Sequence, residues 1–258
     1  MTSETEKRSD IADVVAMLKG LSPVQVEIVH AIIESFAEEQ VNELLRDDFL
    51  TESAFEYFAM RLAAHHAFSS HVLKKENFEH ILEQSFKRTG IEAKRAESMT
   101  LRGADLTVDN VTLSLKTEGA RTLREGHIVI SKLMEAAWIK QVVTKNDIPD
   151  FIKSMVVPHF ANYQKIFILR SYPDPKRRDH TRYDLREIDK GLLSLIADLE
   201  PSDFSPLSAK RSTSAKVKSN GKTMFHFRLD GSDDKLTITH LDVNACPLHA
   251  WWSLKTPV

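Results

Sequence analysis

Apolar residues in the first third of the chain recur at helical spacing, and the pattern then shifts toward alternation. In "LSPVQVEIVHAIIESFAEEQVNELL", Val29, Ile32, Ile33, Phe36 and Leu44 fall three, four or a multiple of turns apart, which predicts a helix. Ser22 at the N-cap, Pro23 at the first helical position and Gln25 at the third make a capping box, with proline where its missing N–H costs nothing. A second helix is predicted from about Thr51 to Val72. A third, "ENFEHILEQSFKRTG", buries Phe78, Ile81, Leu82 and Phe86 and stops at Gly90. "IEAKRAES" then reads as a strand, and "GADLTVDNVTLSLKTEG" as a hairpin turning at Asp109-Asn110. "LREGHIVISKLMEAAWIKQVV" returns to helical periodicity and predicts a helix over 125–143, with another at "DIPDFIKSMV". "QKIFILRSY" and "YDLREI" suit strands, and "TMFHFRLDGSDDKLTITHLDV" a hairpin through Asp230-Gly231. This order implies an α/β fold, a mixed sheet with helices on both sides. It divides into a helical N-terminal section (1–75), a core (76–200) and a β-rich section (201–258), which one domain can also hold.

Composition narrows the class without deciding it. Hydrophobic residues make up 42% and charged residues 28%, as in ordinary globular proteins. No apolar run approaches the length of a membrane span. The charged opening "MTSETEKRSD" lacks the apolar stretch of a secretory signal. Cys246 is the only cysteine, so neither an intrachain disulfide nor a Cys-rich zinc site is expected, and a cytoplasmic location fits. Its neighbour His249 invites a nucleophile pair, but a small buried thiol is the better reading. The 11 histidines contain no His-Glu-x-x-His, and adjacent His65 and His66 diverge on a helix. Phosphate-cradling glycine motifs and a Gly-x-Ser-x-Gly elbow are absent too.

A net charge of −2 speaks against a nucleic-acid partner until its placement is considered. No acid lies between Asp203 and Asp230, where Lys210, Arg211, Lys216, Lys218, Lys222 and Arg228 all fall. A second basic stretch spans 170–186. The run "AKRSTSAKVKSNGK" mixes cations with hydroxyls and an amide, groups that suit DNA phosphates and base edges, so Lys210, Arg211, Lys216, Lys218 and Lys222 are expected to contact DNA.

The densest chemistry lies in the hairpin. Alternation along its second strand sends Val111, Leu113 and Leu115 toward a core and Thr112, Ser114, Lys116 and Glu118 the other way. Asp105, at the start of the first strand, falls near the end of the strand carrying Lys116 and Glu118. A carboxylate there can hold Mg²⁺, which needs only one or two carboxylates and leaves positions for phosphate oxygens. A lysine beside it can orient an attacking water and offset charge on the phosphate. The plain alternative is a half-exposed strand with a solvated Lys–Glu pair worth little.

These residues resemble the PD-(D/E)XK nuclease superfamily and, within it, the type II restriction endonucleases. "GAD" with Asp105 is similar to the first motif element and "SLK", Ser114 to Lys116, to the acidic-x-Lys element. "NFEHILEQSF" resembles the family's early helix, which gives Glu79 a place in the metal site. The resemblance runs over about 76–196. Ala104 stands where the family has proline, and Ser114 where it has an acid. The missing carboxylate would then come from Glu118 first, or from Glu125 or Glu135. The literal Pro-Asp pairs at 149–150 and 173–174, Glu92-Ala93-Lys94 and Asp233-Asp234-Lys235 lack an Asp-led hairpin backed by an apolar strand.

The resemblance implies a restriction-endonuclease-like mixed sheet and a Mg²⁺-dependent endonuclease that cuts duplex DNA at a short site. Asp105, Glu118 and Glu79 would hold the metal, Lys116 would position the water and Ser114 would hydrogen-bond within the site. It also implies a homodimer and a cognate DNA methyltransferase as genetic partner. A repair nuclease with the same core, or a non-catalytic DNA-binding protein, is the alternative.

Overall fold

The computed structural model describes residues 4–96, 103–119, 123 and 125–257, with side chains from residue 11 onward. Two helices, α1 (Glu4–Leu18) and α2 (Pro23–Ala37), lead into strand β1 (Val41–Leu44), then helices α3 (Glu52–His66) and α4 (Lys75–Arg88). Strands β2 (Ala93–Arg95), β3 (Leu106–Val108), β4 (Val111–Gly119) and β5 (His127–Glu135) follow. Short helical turns fill 137–162. Strands β6 (Lys165–Pro173) and β7 (His180–Ile188), a short helix Lys190–Ser194, and strands β8 (Thr213–Ser219), β9 (Lys222–Asp230), β10 (Lys235–Asp242) and β11 (Leu248–Lys255) complete the order.

A seven-stranded sheet runs β1-β11-β7-β6-β4-β3-β2, and a four-stranded sheet runs β5-β10-β9-β8. Only β4 and β6 pair in parallel in the large sheet; the other neighbours are antiparallel. The expected mixed α/β architecture is therefore present. The apolar run of β6 explains the layering, because its alternate residues enter different cores. Phe167 and Leu169 join Phe58, Phe78, Phe86 and Trp252 under α3 and α4. Ile166 and Ile168 join Ile130, Phe225, Phe227 and Ile238 from the small sheet on the other side. Leu113 and Leu115 of β4 belong to the helix-side core, as alternation required.

Several elements follow their local signals. Ser22 Oγ accepts from the Gln25 N–H at 3.4 Å, and Gln25 Oε1 accepts from the Ser22 N–H at 2.9 Å, closing the capping box. Gly90 carries φ +82° just past α4. Asp109 and Asn110, at φ 44° and 67°, make the two-residue turn between Val108 and its partner Val111. The β9–β10 hairpin forms, and Gly231 at its turn passes so close to the Lys210 carbonyl that a Cβ would sit 1.8 Å from that oxygen.

Other expectations need correction. The segment 125–143 is not a helix: it is β5 followed by a 3₁₀ turn (Ala137–Gln141). Ile128 and Ile130 are buried while His127 and Val129 are exposed, a period of two that pairing with β10 enforces. Leu44 lies in β1, not in α2, because Val41–Leu44 pairs with β11. The second helix ends at His66. From there His66 Nε2 and the Leu73 N–H both bond the buried Tyr183 hydroxyl, at 2.8 and 3.1 Å, pinning the approach to α4. Of the strand expected at "IEAKRAES", Glu97 and Ser98 lie outside the described residues. Among the described residues no helix is long and apolar enough to cross a membrane.

Candidate active site

Strand β4 lies between β3 and β6, so both its edges are paired. Ser114 is buried and Lys116 half-buried on the face away from α4, beneath β5 of the small sheet. The half-exposed strand with a solvated lysine is thereby set aside. Asp105 sits one residue before β3, its N–H donating to the Leu113 carbonyl at 2.7 Å. That bond turns its carboxylate toward β4, where Oδ2 accepts the Leu115 N–H at 2.6 Å and the Ser114 hydroxyl at 3.3 Å. Two donors thus fix one oxygen and leave the other for a cation.

A cation is there. The Lys75 ammonium, from the first turn of α4, lies 2.8 Å from Asp105 Oδ1 and 3.1 Å from Glu79 Oε1. Glu79 stands one helical turn further along the same face of α4, which is why Lys75 reaches both. Burial pushes the Glu79 carboxyl above its usual pKa, with Lys75 pulling it partly back. For Lys75 burial works against the charge, but Asp105 and Glu79 outweigh it and hold the ammonium above its ordinary value. Lys116 is the contrasting case. Its burial dominates, Asp105 offsets this in part, Lys75 and Lys132 repel, and its pKa falls from 10.5 to about 8.

Asp105, Ser114, Lys116 and Lys75 line one cavity of about 480 Å³, walled on the other side by Ser131, Lys132 and Glu135 of β5. Of the sequence-predicted residues, the structure thus brings together Asp105, Ser114, Lys116 and, through Lys75, Glu79. It does not bring Glu118 to them. The Glu118 carboxylate accepts from buried Arg170 Nε at 2.7 Å and from the Val129 N–H at 2.9 Å, tying β4 to β6 and β5. Arg170 also donates to the His127 carbonyl at 2.9 Å and the Glu125 carbonyl at 3.3 Å. Glu118 faces the adjoining cavity, of about 630 Å³, and would reach a metal beside Asp105 only by giving up Arg170. Glu135 lies at the rim of the Asp105 cavity, bonded to Lys132. Among the described residues no three His, Cys, Asp or Glu side chains converge as a metal-binding set.

The remaining candidates have structural explanations. Asp174 is buried and bonds Ser253 and the Lys176 N–H. Cys246 is a buried thiol whose pKa burial pushes up to about 12, so it is no nucleophile. The basic residues lie around the small sheet. Lys216 and Lys218 project from the exposed side of β8, Lys222 opens β9 with an ion pair to Asp242, and Lys210 and Arg211 lie in the turn before β8. Sequence reading missed Lys75 and Lys132. The four-residue spacing of Lys75 and Glu79 was a usable signal; Lys132 had none, since its segment read as a helix.

Residues 14–254 match the family described as SmaI, type II site-specific deoxyribonuclease. This chain belongs to that family. It is 30% identical over 231 residues to the type II restriction enzyme SmaI of Serratia marcescens, a match covering 87% of this chain and 89% of that enzyme. No solved structure matches. A type II site-specific deoxyribonuclease acts on DNA, so the function expected from the hairpin stands at that level. The family match runs through the whole cavity, from α4 to β5, and also takes in the small sheet beside it.

Proposed function

We propose that the protein is a Mg²⁺-dependent restriction endonuclease of the PD-(D/E)XK type that cleaves both strands of duplex DNA at a short site. The observation that carries this reading is the opening of Asp105, one residue before β3, and Lys116, on β4, into a single cavity. The donor set suits a divalent cation. Two carboxylates, Asp105 and Glu79, already share one positive charge, that of Lys75, and Mg²⁺ asks for one or two carboxylates with water and phosphate oxygens besides. Bound there, the ion would polarise the phosphoryl group and steady the leaving oxygen. Ser114 supplies a hydrogen bond that fixes Asp105 instead of the missing negative charge. Glu79 is the second carboxylate, while Glu118 serves the Arg170 tie that holds β5 over the cavity. Lys116, largely desolvated, can take the proton of an attacking water, and Lys75 and Lys132 can meet phosphate oxygens.

The direct test is plasmid DNA incubated with the protein, with and without Mg²⁺. Discrete fragments that appear only with Mg²⁺ are expected. Intact DNA, or a smear without discrete ends, would remove the reading. The family membership favours restriction over repair, and a host carrying it would need a methyltransferase that protects the same site.

The same reading includes a homodimer, because a palindromic site mirrors a two-fold axis. Support comes from α1 and α2. Ile11, Val14 and Met17 of α1 and Val24, Ile33 and Phe36 of α2 are exposed, from 44% for Phe36 to 72% for Met17. Helix α2 has no buried residue, although its capping is complete. A short helix gains most of its stability from a covered apolar face. A second copy docking its own α1–α2 pair would cover this face. Sedimentation should give twice the 29.3 kDa chain mass for the wild type and a monomer for Phe36→Glu. A monomeric wild type would remove the dimer.

A further inference from the structure

The cavity beside the catalytic one has no assigned use. Its walls include Thr117 and Ser131, which also line the Asp105 cavity, so the two form one trough. Beyond these shared residues it presents His127 of β5, Thr239 and His240 of β10, and Lys74 from the approach to α4. Its one carboxylate, Glu118, is taken up by Arg170.

The chemistry changes along this trough. In the Asp105 cavity charged groups dominate, with Lys75, Lys116 and Lys132 among them, as phosphate requires. In the next cavity Lys74 is the one cation among the described lining residues, and imidazoles and hydroxyls make up most of the other polar groups. A neutral imidazole offers one donor and one acceptor, and a hydroxyl offers both. Such groups read base edges, whereas lysines hold phosphates without reading sequence. The series continues over the exposed face of the small sheet. His240 stacks on His226 with ring centroids 4.4 Å apart, and its ring lies 5.6 Å from that of His127. His226 is in register with Thr239 on one side and Lys216 on the other. His226 and His240 stack while His127 is tilted against His240, and no metal-binding group is found among the described residues.

The backbone gives a second, independent sign. His240 has φ +57°, in the left-handed region, where the pairing of β10 with β5 slips between Ile238 and Leu241. A bulge of this kind re-aims a side chain, and left-handed backbone away from glycine is kept where surrounding structure enforces it. Without the slip, the residue at 240 would follow the alternation of the strand instead of closing the trough.

We infer that His240, with His127 and Thr239, reads the edges of the base pairs next to the scissile phosphate. The partner is thus the base edges of duplex DNA, and the inference rests on the nuclease reading above. Lys216 and Lys218, further out on the same face, would hold the flanking phosphates.

The test uses the duplex that the wild-type protein cuts, mapped by sequencing the ends it leaves, and the same duplex with single base pairs exchanged. Binding is measured without divalent ions over a range of salt. His240→Gly keeps the left-handed backbone and removes the imidazole. It should weaken the wild-type duplex by about 10- to 100-fold, affect the exchanged duplexes far less, and leave the salt slope in place. His127→Gln, at the other wall, should relax selectivity in the same direction. Lys216→Ala is the contrast, weakening all duplexes alike and lowering the salt slope by about one. Equal weakening on every duplex by His240→Gly, or unchanged selectivity in both histidine variants with normal melting, overturns the inference while Mg²⁺-dependent cutting by the wild type still stands. A wild type that cuts no DNA overturns both.

Discussion

Exchanging Lys116 for methionine is expected to slow DNA cleavage by about 10²–10⁴-fold, the range of a lost general base, and at the same time to raise the melting temperature. Both effects come from one fact, the desolvation of an ammonium under β5. Folding lowers the Lys116 pKa from 10.5 to about 8. Between those two values the unfolded chain holds a proton that the folded chain has released, so stability climbs with pH across that window. Below about pH 8 the folded protein carries the penalty in full. Methionine fills similar volume without charge, and the variant should be more stable at pH 7 by about 1–3 kcal/mol. Thermal melts of both proteins should show that gap at pH 7 and its narrowing toward pH 10.5. Wild-type cleavage should rise with pH toward about 8 and then flatten, because only the neutral amine accepts a proton. Lys116→Arg keeps the charge but cannot release a proton, so it should not restore activity. Equal melting at pH 7, or retained cleavage in the methionine variant, would refute this role.

The parts of the site that were legible in the sequence are those set by local rules. The Asp109-Asn110 turn fixes the register of β3 against β4, and from that register alternation alone puts Ser114 and Lys116 on the face opposite Leu113 and Leu115. The capping box of α2, the Gly90 stop of α4 and the apolar run of β6 were local in the same sense. What escaped depends on distant partners. Residues 128–142 carry apolar side chains that satisfy a helical template as well as a strand, and the decision is made by pairing with β10, where Ile130 meets Ile238. With β5 read as a helix, the outer wall of the cavity and Lys132 disappeared. Glu118 was assigned by its position on the strand face, but its carboxylate is claimed by Arg170, 52 positions later. A buried arginine needs such a partner, and spacing does not reveal which carboxylate it takes. The bulge that turns His240 into the trough left no local mark at all.

The metal site proposed at Asp105 gives the second large effect. Asp105→Asn should lower cleavage by about 10³-fold or more, since a metal carboxylate supplies several kcal/mol of charge stabilisation, and should abolish Mn²⁺ binding seen by calorimetry. The fold should survive, because the asparagine carbonyl can still accept the Leu115 N–H that Asp105 now holds at 2.6 Å. Glu79→Gln should act in the same direction but more weakly, since Glu79 stands behind Lys75 and its backbone lies in a separate element. Asp105→Asn also tests whether residues 105 and 116 share one electrostatic environment. Asp105 is the largest influence that keeps Lys116 charged against its burial. Removing that charge should make the Lys116 ammonium costlier still, so the stability gained from Lys116→Met should be greater in the Asp105→Asn background than in the wild type. A double-mutant cycle measured by thermal or urea unfolding reads this directly, and residues within one charge network give coupling of about 0.5–3 kcal/mol. Additive effects would mean that the two groups do not feel one another, and the shared cation site would have to be abandoned whatever the cleavage assays returned.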